Sequence, residues 1–288
     1  MSRAGAPGAG APAPDTPVGV LHVVSTPIGN LGDITARAID VLSSVTVILA
    51  EDTRHSRVLA DRFGIRTPMQ SYHEHNEAAA TPRLIERLAA GESMALITDA
   101  GTPLVSDPGA RLVRAAIDAG VRVSPVPGAS AVLAALVGAG LAADRFTFFG
   151  FLPRKGADRT RTLEEIAALA HTAVLYEAPG RTAETLRALA AAGAGARQAA
   201  VARELTKQFE EFRRGTVDAL AAYYEESEPR GEVVVVIEGA GPVVVDEAAL
   251  RERAAALRAS GMSARDVTRV LMETAHAPRN LAYRLAHE

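Results

Sequence analysis

Residues 94–119 have the sequence MALITDAGTPLVSDPGARLVRAAIDA, and this stretch decides the fold class. The apolar run at 94–98 predicts a buried strand, and the Ala/Leu/Arg-rich run at 108–119 predicts an amphipathic helix. A turn rich in Asp, Gly, Thr and Pro separates them. Short β-branched runs alternate with amphipathic runs in the same way from residue 18 onward, which indicates an α/β protein with a mainly parallel sheet.

Outward from this stretch, the same pattern predicts two successive cycles of strands and helices. In the first cycle we predict strands near 20–25, 45–50, 68–72, 94–98 and 121–126, and helices near 34–44, 54–63, 76–90, 108–119 and 129–139. In the second we predict strands at 146–151, 172–176, 198–204, 210–215 and 231–239, and helices near 160–169, 180–192 and 216–227. The two strands on either side of Gln208 predict an antiparallel hairpin.

These patterns divide the chain into four parts. Residues 1–17 are Ala, Gly and Pro with little to bury and predict a disordered tail. Residues 18–143 and 144–243 predict two α/β domains. Residues 244–288 predict a helical extension of three helices, with breaks at Ser260-Gly261 and Ala277-Pro278 and a helix start capped by Ser263 and Asp266.

The composition excludes several classes of protein. The chain has 288 residues, 48% of them hydrophobic, and a formal net charge of −3, so a polyanion would have to meet a local basic patch. It has no cysteine, which rules out disulfides, a thiolate nucleophile and cysteine-bound zinc. We predict no membrane span and no signal peptide, and therefore a cytoplasmic protein.

Polar turns follow all five strands of the first domain. In an open parallel sheet the binding crevice lies outside the carboxyl ends of the strands, so we expect these turns to meet at one edge. A single turn of this composition is also what any loop prefers. No lysine-containing phosphate loop and no glycine fingerprint follows a strand, which argues against a P-loop NTPase or a Rossmann dehydrogenase. The turns are 25–30, 51–55, 73–77, 99–103 and 127–130.

Eight segments of the chain, taken in the order in which they occur, together resemble the RsmI-type 16S ribosomal RNA (cytidine-2′-O)-methyltransferases of the tetrapyrrole-methylase superfamily. The resemblance covers residues 20–240, and the C-terminal helices of 244–288 also resemble the helix-turn-helix-like extension of those proteins. It implies S-adenosylmethionine bound in a cleft between two α/β domains, methylation of a cytidine ribose in 16S rRNA within the small ribosomal subunit, and a homodimer. The segments are STPIGNLGDIT, AEDTRHS, YHEHNE, ITDAGTPLVSDPGARLV, VPGASA, GFLPRKG, LYEAPGR and ARELTKQFEEFRRGTV.

The resemblance also implies which residues hold the cofactor. Most lie on the first, fourth and fifth turns, and two come from the second domain. They are Thr26, Pro27, Asp99, Ala100, Gly101, Thr102, Val105, Ser130, Ala131, Tyr176 and Leu205.

A ribose hydroxyl is a weak acid, so its methylation favours a general base or a nearby cation. The charged turns AEDTRH and YHEHNE supply the candidates Glu51, Asp52, Arg54 and His75, with the two acids as possible bases and Arg54 as an orienter. A salt-bridge network, within the chain or at a dimer interface, is the alternative interpretation. The two histidines of His73-Glu74-His75 lack a clear third ligand, and we expect no metal.

The segment 145–161 carries five basic residues against one acid, a local net charge of +4 in an acidic protein. We predict that Arg154, Lys155, Arg159 and Arg161 contact RNA phosphates, with a solvated basic loop as the alternative. Two other functions remain open from the sequence. One is a small-molecule methylase acting on a tetrapyrrole, and the other is a catalytically silent RNA- or ribosome-binding protein.

Overall fold

The computed structural model describes residues 18–241, 247–275 and 277–288. The expectation of a disordered tail at 1–17 and the boundary near 243 both lie outside the described residues. The first half contains five strands, β1 (Val20–Val24), β2 (Val47–Ala50), β3 (Met69–Ser71), β4 (Met94–Ile97) and β5 (Arg122–Val126). Its helices are α1 (Ala36–Ser44), α2 (Thr53–Phe63), α3 (Glu77–Ala89), α4 (Ala110–Asp118) and α5 (Ala131–Ala139).

The first sheet has the order β3-β2-β4-β1-β5, and all its strand pairs are parallel, as predicted. Every residue of β2 and β4 is buried, because helices cover both faces of the sheet. The carboxyl ends of all five strands therefore open at the same edge, and the turns that follow them lie side by side.

The second half contains the strands β6 (Phe146–Phe151), β7 (Thr172–Glu177), β8 (Gln198–Arg203), β9 (Glu211–Thr216) and β10 (Val233–Ile237). Its helices are α6 (Ala157–Ala168), α7 (Thr182–Leu189) and α8 (Val217–Glu226). The predicted hairpin around Gln208 is confirmed, since β8 and β9 pair antiparallel.

The prediction of a mainly parallel sheet is wrong for this second half. Its order is β6-β7-β10-β8-β9, and only β6 and β7 pair parallel. Strand β10 lies between β7 and β8 and runs antiparallel to both. A buried apolar strand has the same periodicity in either direction, so the sequence pattern alone does not reveal this insertion.

Helix α5 joins the two halves. It follows the last strand of the first sheet, yet its buried face packs on the second sheet, where Val132 and Leu136 share one core with Val174, Ala200 and Val234. A β-carbon at Gly138 would lie 2.2 Å from the ring of Phe212 on β9, so glycine allows this close approach. The shared core fixes the two halves against each other on either side of the cleft.

The C-terminal segment forms the three predicted helices, α9 (Glu247–Ala259), α10 (Ala264–Ala275) and α11 (Arg279–His287), around a small core of their own. The predicted cap at Ser263 is confirmed, since its hydroxyl accepts a hydrogen bond from the Asp266 amide at 3.2 Å. None of the described helices combines the length and the apolar character needed to cross a membrane.

Candidate active site

Three of the polar turns are tied together at the carboxyl edge of the first sheet. Thr26 and Gly101 exchange backbone hydrogen bonds of 2.8 and 3.1 Å, which form a small bridge between the turns after β1 and β4. The hydroxyls of Ser25 and Thr102 lie 3.0 Å apart, and the Thr102 hydroxyl donates to the Ala129 carbonyl at 3.3 Å. The turns after β1, β4 and β5 therefore form one rigid rim.

The turn after β2 joins this rim through its acids. The buried Thr98 hydroxyl donates to the Glu51 carboxylate at 2.7 Å, and the Asp52 amide donates to the Asp99 carboxylate at 3.1 Å. Burial raises the pKa of Asp99, and the nearby negative charges of Glu51 and Asp52 act in the same direction. Several carboxylates are thus held close together beside the bridge.

A cavity of about 290 Å³ opens between the two domains on one side of the Thr26–Gly101 bridge. Seven of the residues that the resemblance implies for the cofactor line it, namely Ala100, Gly101, Thr102, Val105, Ser130, Ala131 and Tyr176. Ser130 also caps helix α5, since its hydroxyl accepts from the Leu133 amide. Seven of the eleven implied residues therefore line one cavity, six of them from the first domain and Tyr176 from the second domain.

The opposite wall, from the second domain, was mostly missed by the sequence analysis. The rings of Phe151 and Tyr176 lie 5.3 Å apart, and the segments 177–179 and 231–234 complete the lining. Burial raises the pKa of Tyr176 to about 12, helped by the negative charges of Asp107 and Glu232, so its phenol stays protonated. Backbone placement puts 231–234 here, and no motif in the sequence marks these residues.

Asp107 is the second group that sequence reasoning missed. It belongs to the turn between β4 and α4 and lines the same cavity. Burial raises its pKa to about 6, and repulsion from Glu51 and then Asp99 adds to the shift, while the Thr98 hydroxyl opposes it. The segment SDPG could have drawn attention to it, but an Asp-Pro-Gly sequence is also an ordinary turn.

A second cavity, of about 320 Å³, lies on the other side of the bridge. Thr26, Pro27 and Asp99, three residues that the resemblance implies for the cofactor, line this cavity and not the first one. The rest of the lining includes His55, Ser56 and Val58 from the first turns of α2, together with Thr98 and Lys207. Leu205, the last of the cofactor set, is buried in the core beneath α5 and lines neither cavity.

Lys207 links the second cavity to the second domain. Its ammonium lies 2.9 Å from the Glu204 carboxylate and 3.1 Å from that of Glu232, which belongs to the lining of the first cavity. Its methylenes cover Gly29, where a β-carbon would lie 2.5 Å from the lysine chain. The ion pairs thus lie within the second domain, and the methylenes of Lys207 make the contact with the first domain at Gly29.

The four catalytic candidates occupy different environments. Asp52 accepts hydrogen bonds from Arg54 at 2.7 and 3.1 Å and caps α2, and its bonds with the Arg54 side chain hold the pKa of Asp52 far below its ordinary value. Arg54 is otherwise exposed to solvent. Glu51 remains beside the rim. His75 is exposed, 5.9 Å from the His73 ring, and lines neither cavity.

The basic segment after β6 divides into exposed and buried members. Arg154, Lys155 and Arg161 are exposed, and Arg161 pairs with Asp158 at 3.2 Å. Arg159 is buried and donates to the Pro153 carbonyl, the Thr185 hydroxyl and the Glu184 carboxylate. The prediction that Arg159 contacts RNA phosphates is therefore corrected, because its guanidinium is committed to anchoring this loop within the second domain.

Among the described residues, no three histidine or acidic side chains are grouped as ligands for a metal ion. His73 and His75 stand at the start of α3 without a third donor beside them.

The comparisons with known proteins agree with this geometry. The family model for tetrapyrrole (corrin/porphyrin) methylases matches residues 20–221. A ribosomal RNA small subunit methyltransferase I from Synechocystis sp. is 45% identical over 274 residues, which is 94% of this chain and 98% of the relative. The protein of the same name from Mesorhizobium japonicum is 53% identical over 230 residues, 80% of this chain and 78% of the relative.

Solved structures resemble the chain in fold. Uroporphyrin-III C-methyltransferase from Thermus thermophilus, complexed with S-adenosylhomocysteine, has a TM-score of 0.56 at 20% identity over 76% of this chain and 97% of that one. Cobalt precorrin-4 methyltransferase has a TM-score of 0.59 at 19% identity over 76% and 94%. The chain therefore belongs to the tetrapyrrole methylase family, and within it to the group whose members are named ribosomal RNA small subunit methyltransferase I.

Proposed function

We propose that the protein transfers a methyl group from S-adenosylmethionine to the ribose 2′-oxygen of a cytidine in 16S rRNA of the small ribosomal subunit. The observation that carries the proposal is the cavity between the domains, which is lined by seven residues of the implied cofactor set. The close relatives, whose name states that they methylate small-subunit rRNA, support the choice of acceptor.

The first cavity fits the methyl donor. Its volume lies near the lower end of the range of about 300–1,000 Å³ for small-molecule sites. The hydroxyls of Thr102 and Ser130 and the exposed backbone at 100–102 suit the amino-acid and ribose parts of the donor. The apolar side chain of Val105 suits the adenine. The donor supplies a methyl group already activated on a positively charged sulfur.

The second cavity suits the acceptor nucleotide, because it shares the turns 26–29 and 98–102 with the first one. His55 and the Ser56 hydroxyl, which has no partner among the described residues, are the groups there that suit a phosphate, whereas the Lys207 ammonium is already paired with Glu204 and Glu232. Holding the ribose hydroxyl next to the donor lowers the activation barrier of methyl transfer by several kcal/mol, about as much as orientation does in comparable intramolecular reactions.

The proton of the ribose hydroxyl needs an acceptor, and we assign this role to Glu51 in preference to Asp52. The Asp52 carboxylate is ion-paired with Arg54 and its pKa is depressed, which makes it a weak base. Glu51 lines neither cavity, but it accepts hydrogen bonds from the Thr98 hydroxyl at 2.7 Å and the Asp99 amide at 3.5 Å, and both of these residues line the second cavity. Arg54 keeps the role of orienting a phosphate, and the exposed His75, which lines neither cavity, is assigned no role.

For the RNA strand we propose the exposed members of the basic segment. Arg154, Lys155 and Arg161 lie where β6 leads into α6, and Phe151, at the end of β6, lines the first cavity. Phosphate contacts by these side chains would position the strand without reading its bases.

We further propose a cytoplasmic homodimer. The resemblance implies a dimer, and helix α5 supports it by presenting apolar side chains to solvent. Leu133 and Val137 are 53% and 77% exposed on the face opposite the shared core. A second copy of the chain would cover these side chains. Light scattering tests this, and we expect wild type to be a dimer and Val137→Glu a monomer.

One labelling experiment tests the function. The protein is incubated with S-[methyl-³H]adenosylmethionine and, separately, undermethylated small subunits, naked 16S rRNA and uroporphyrinogen III. We expect label in a cytidine 2′-O-methyl group of the subunits. Label in the macrocycle alone would assign the protein to the small-molecule branch of its family. Cofactor binding without any label would make it a silent RNA-binding protein.

A further inference from the structure

Three carboxylates line the cavity between the domains, and two of them are neutralised by their surroundings. Glu177 accepts hydrogen bonds from the Ala178 amide at 2.8 Å and the Thr185 hydroxyl at 2.5 Å, and Arg181 lies 3.5 Å away. Glu232 is paired with Lys207, and its side chain is 72% exposed to solvent. Neither of these two acids needs a ligand to compensate its charge.

Asp107 differs from both. It is half-buried, and no cation among the described residues pairs with it. The charges that act on it belong to Glu51 and Asp99 and are negative, and the one group among the described residues that favours its ionised form, the Thr98 hydroxyl, also donates to Glu51 at 2.7 Å. An unpaired carboxylate in such a place is costly, and it either keeps a proton or binds a cation.

The wall that faces Asp107 is aromatic. Phe151 and Tyr176 line the same cavity with rings 5.3 Å apart, and the Tyr176 phenol is close enough to Asp107 to sense its charge. Aromatic faces attract compact organic cations, most strongly where water is excluded. A carboxylate on one side and two rings on the other form a corner suited to a positively charged group with little hydrogen-bonding capacity.

We propose that Asp107, with Phe151 and Tyr176, binds the sulfonium of the methyl donor and so makes the site prefer the charged donor over its neutral product. This inference rests on the proposed function. A sulfonium has the required charge and no N–H to donate, whereas the product S-adenosylhomocysteine carries a neutral thioether at that point. The corner therefore binds the charged donor more tightly than the neutral product that remains after methyl transfer.

The test measures binding and needs no turnover. Titration calorimetry at pH 7.5 gives the Kd of S-adenosylmethionine and of S-adenosylhomocysteine for wild type and for Asp107→Asn, which keeps the shape and removes the charge. We expect the variant to bind the donor about tenfold more weakly and the product within about twofold of wild type. Equal weakening of both ligands, or no weakening of the donor, would overturn the proposal.

Two controls separate this role from a structural one. Asp118→Asn removes an exposed, ion-paired acid on α4, outside the cavity, and the ratio of the two affinities is expected to stay unchanged. The melting temperature of ligand-free Asp107→Asn is expected to equal or exceed that of wild type, because an unpaired carboxylate destabilises the fold. A lower melting temperature would mean that Asp107 serves the fold, against the proposal.

These outcomes are independent of the proposed acceptor. If the protein labels no RNA but Asp107→Asn still loses its preference for the donor, the sulfonium assignment stands and the function fails. If wild type binds neither ligand, both the sulfonium assignment and the proposed function fail.

Discussion

The two cavities on either side of the Thr26–Gly101 bridge are built from the same turns but differ in chemistry. In the first, aromatic rings of the second domain face Asp107 of the first domain, an acid without an ion-pair partner among the described residues. The second is walled by helix α2 and contains Lys207, His55 and the unpartnered Ser56 hydroxyl. Because of this difference, the same turns can bind a cationic donor in one cavity and an anionic acceptor in the adjacent one.

The largest effect is expected from filling the first cavity. Val105 lines it with a partly exposed side chain, so Val105→Trp adds bulk to the cavity without disturbing a core. We expect donor affinity to fall on the order of a hundredfold, measured by calorimetry. Ile117→Trp, on the exposed face of α4 and outside both linings, is the matched control and should bind normally. Normal binding by Val105→Trp would place the donor elsewhere.

Filling the second cavity should give the reciprocal result. Val58 lines it and is 62% exposed, and Val58→Trp is expected to raise KM for undermethylated subunits about tenfold. The Kd of S-adenosylmethionine should stay within about twofold of wild type. If donor affinity falls as much as KM rises, the two cavities form one donor site and the comparison breaks down.

Acid should weaken the donor site through Asp107. Its pKa of about 6 lies above the ordinary value, so the carboxylate is ionised above pH 6 and takes up a proton as the pH falls through that value. We expect donor affinity to be nearly constant from pH 8 to 7 and to fall about three- to fourfold by pH 5.5, while product affinity changes less. Glu51, Asp99 and Tyr176 interact electrostatically with the same carboxyl. A decline that persists in Asp107→Asn would be assigned to Asp99, whose pKa is also raised by burial.

The basic segment should show the smallest effect on activity and a division between its members. Lys155→Glu is expected to raise KM for subunits about threefold and to leave the Kd of the donor unchanged, because Lys155 is exposed and away from the cavity. Arg159→Ala should instead lower the free energy of unfolding by about 2 kcal/mol, because buried hydrogen bonds are lost. Denaturant unfolding and KM are measured for both variants. A loss of stability in Lys155→Glu without one in Arg159→Ala would contradict the division.

The first domain was predictable because its helices and strands alternate with distinct periods. All five strands and helices lie within a few residues of the expected ranges, and the turn-forming residues mark the carboxyl edge. The second sheet was less predictable, since β10 inserts between β7 and β8 through long-range pairing. Arg159 failed for a related reason. The sequence shows its charge, but only packing against Thr185 and Glu184 shows that the charge is buried.

The sequence by itself determined the α/β class, the polar rim at the carboxyl ends of β1 to β5, and the family, through motifs whose order is specific. Only the tertiary structure decided that Thr26, Pro27 and Asp99 face a different cavity from Ala100 and Gly101, and that Asp107 stands unpaired opposite Tyr176. The physical reason is that local pattern reports which residues form a turn. Which side of the turn a residue faces, and which charges surround it, depend on elements distant in the chain.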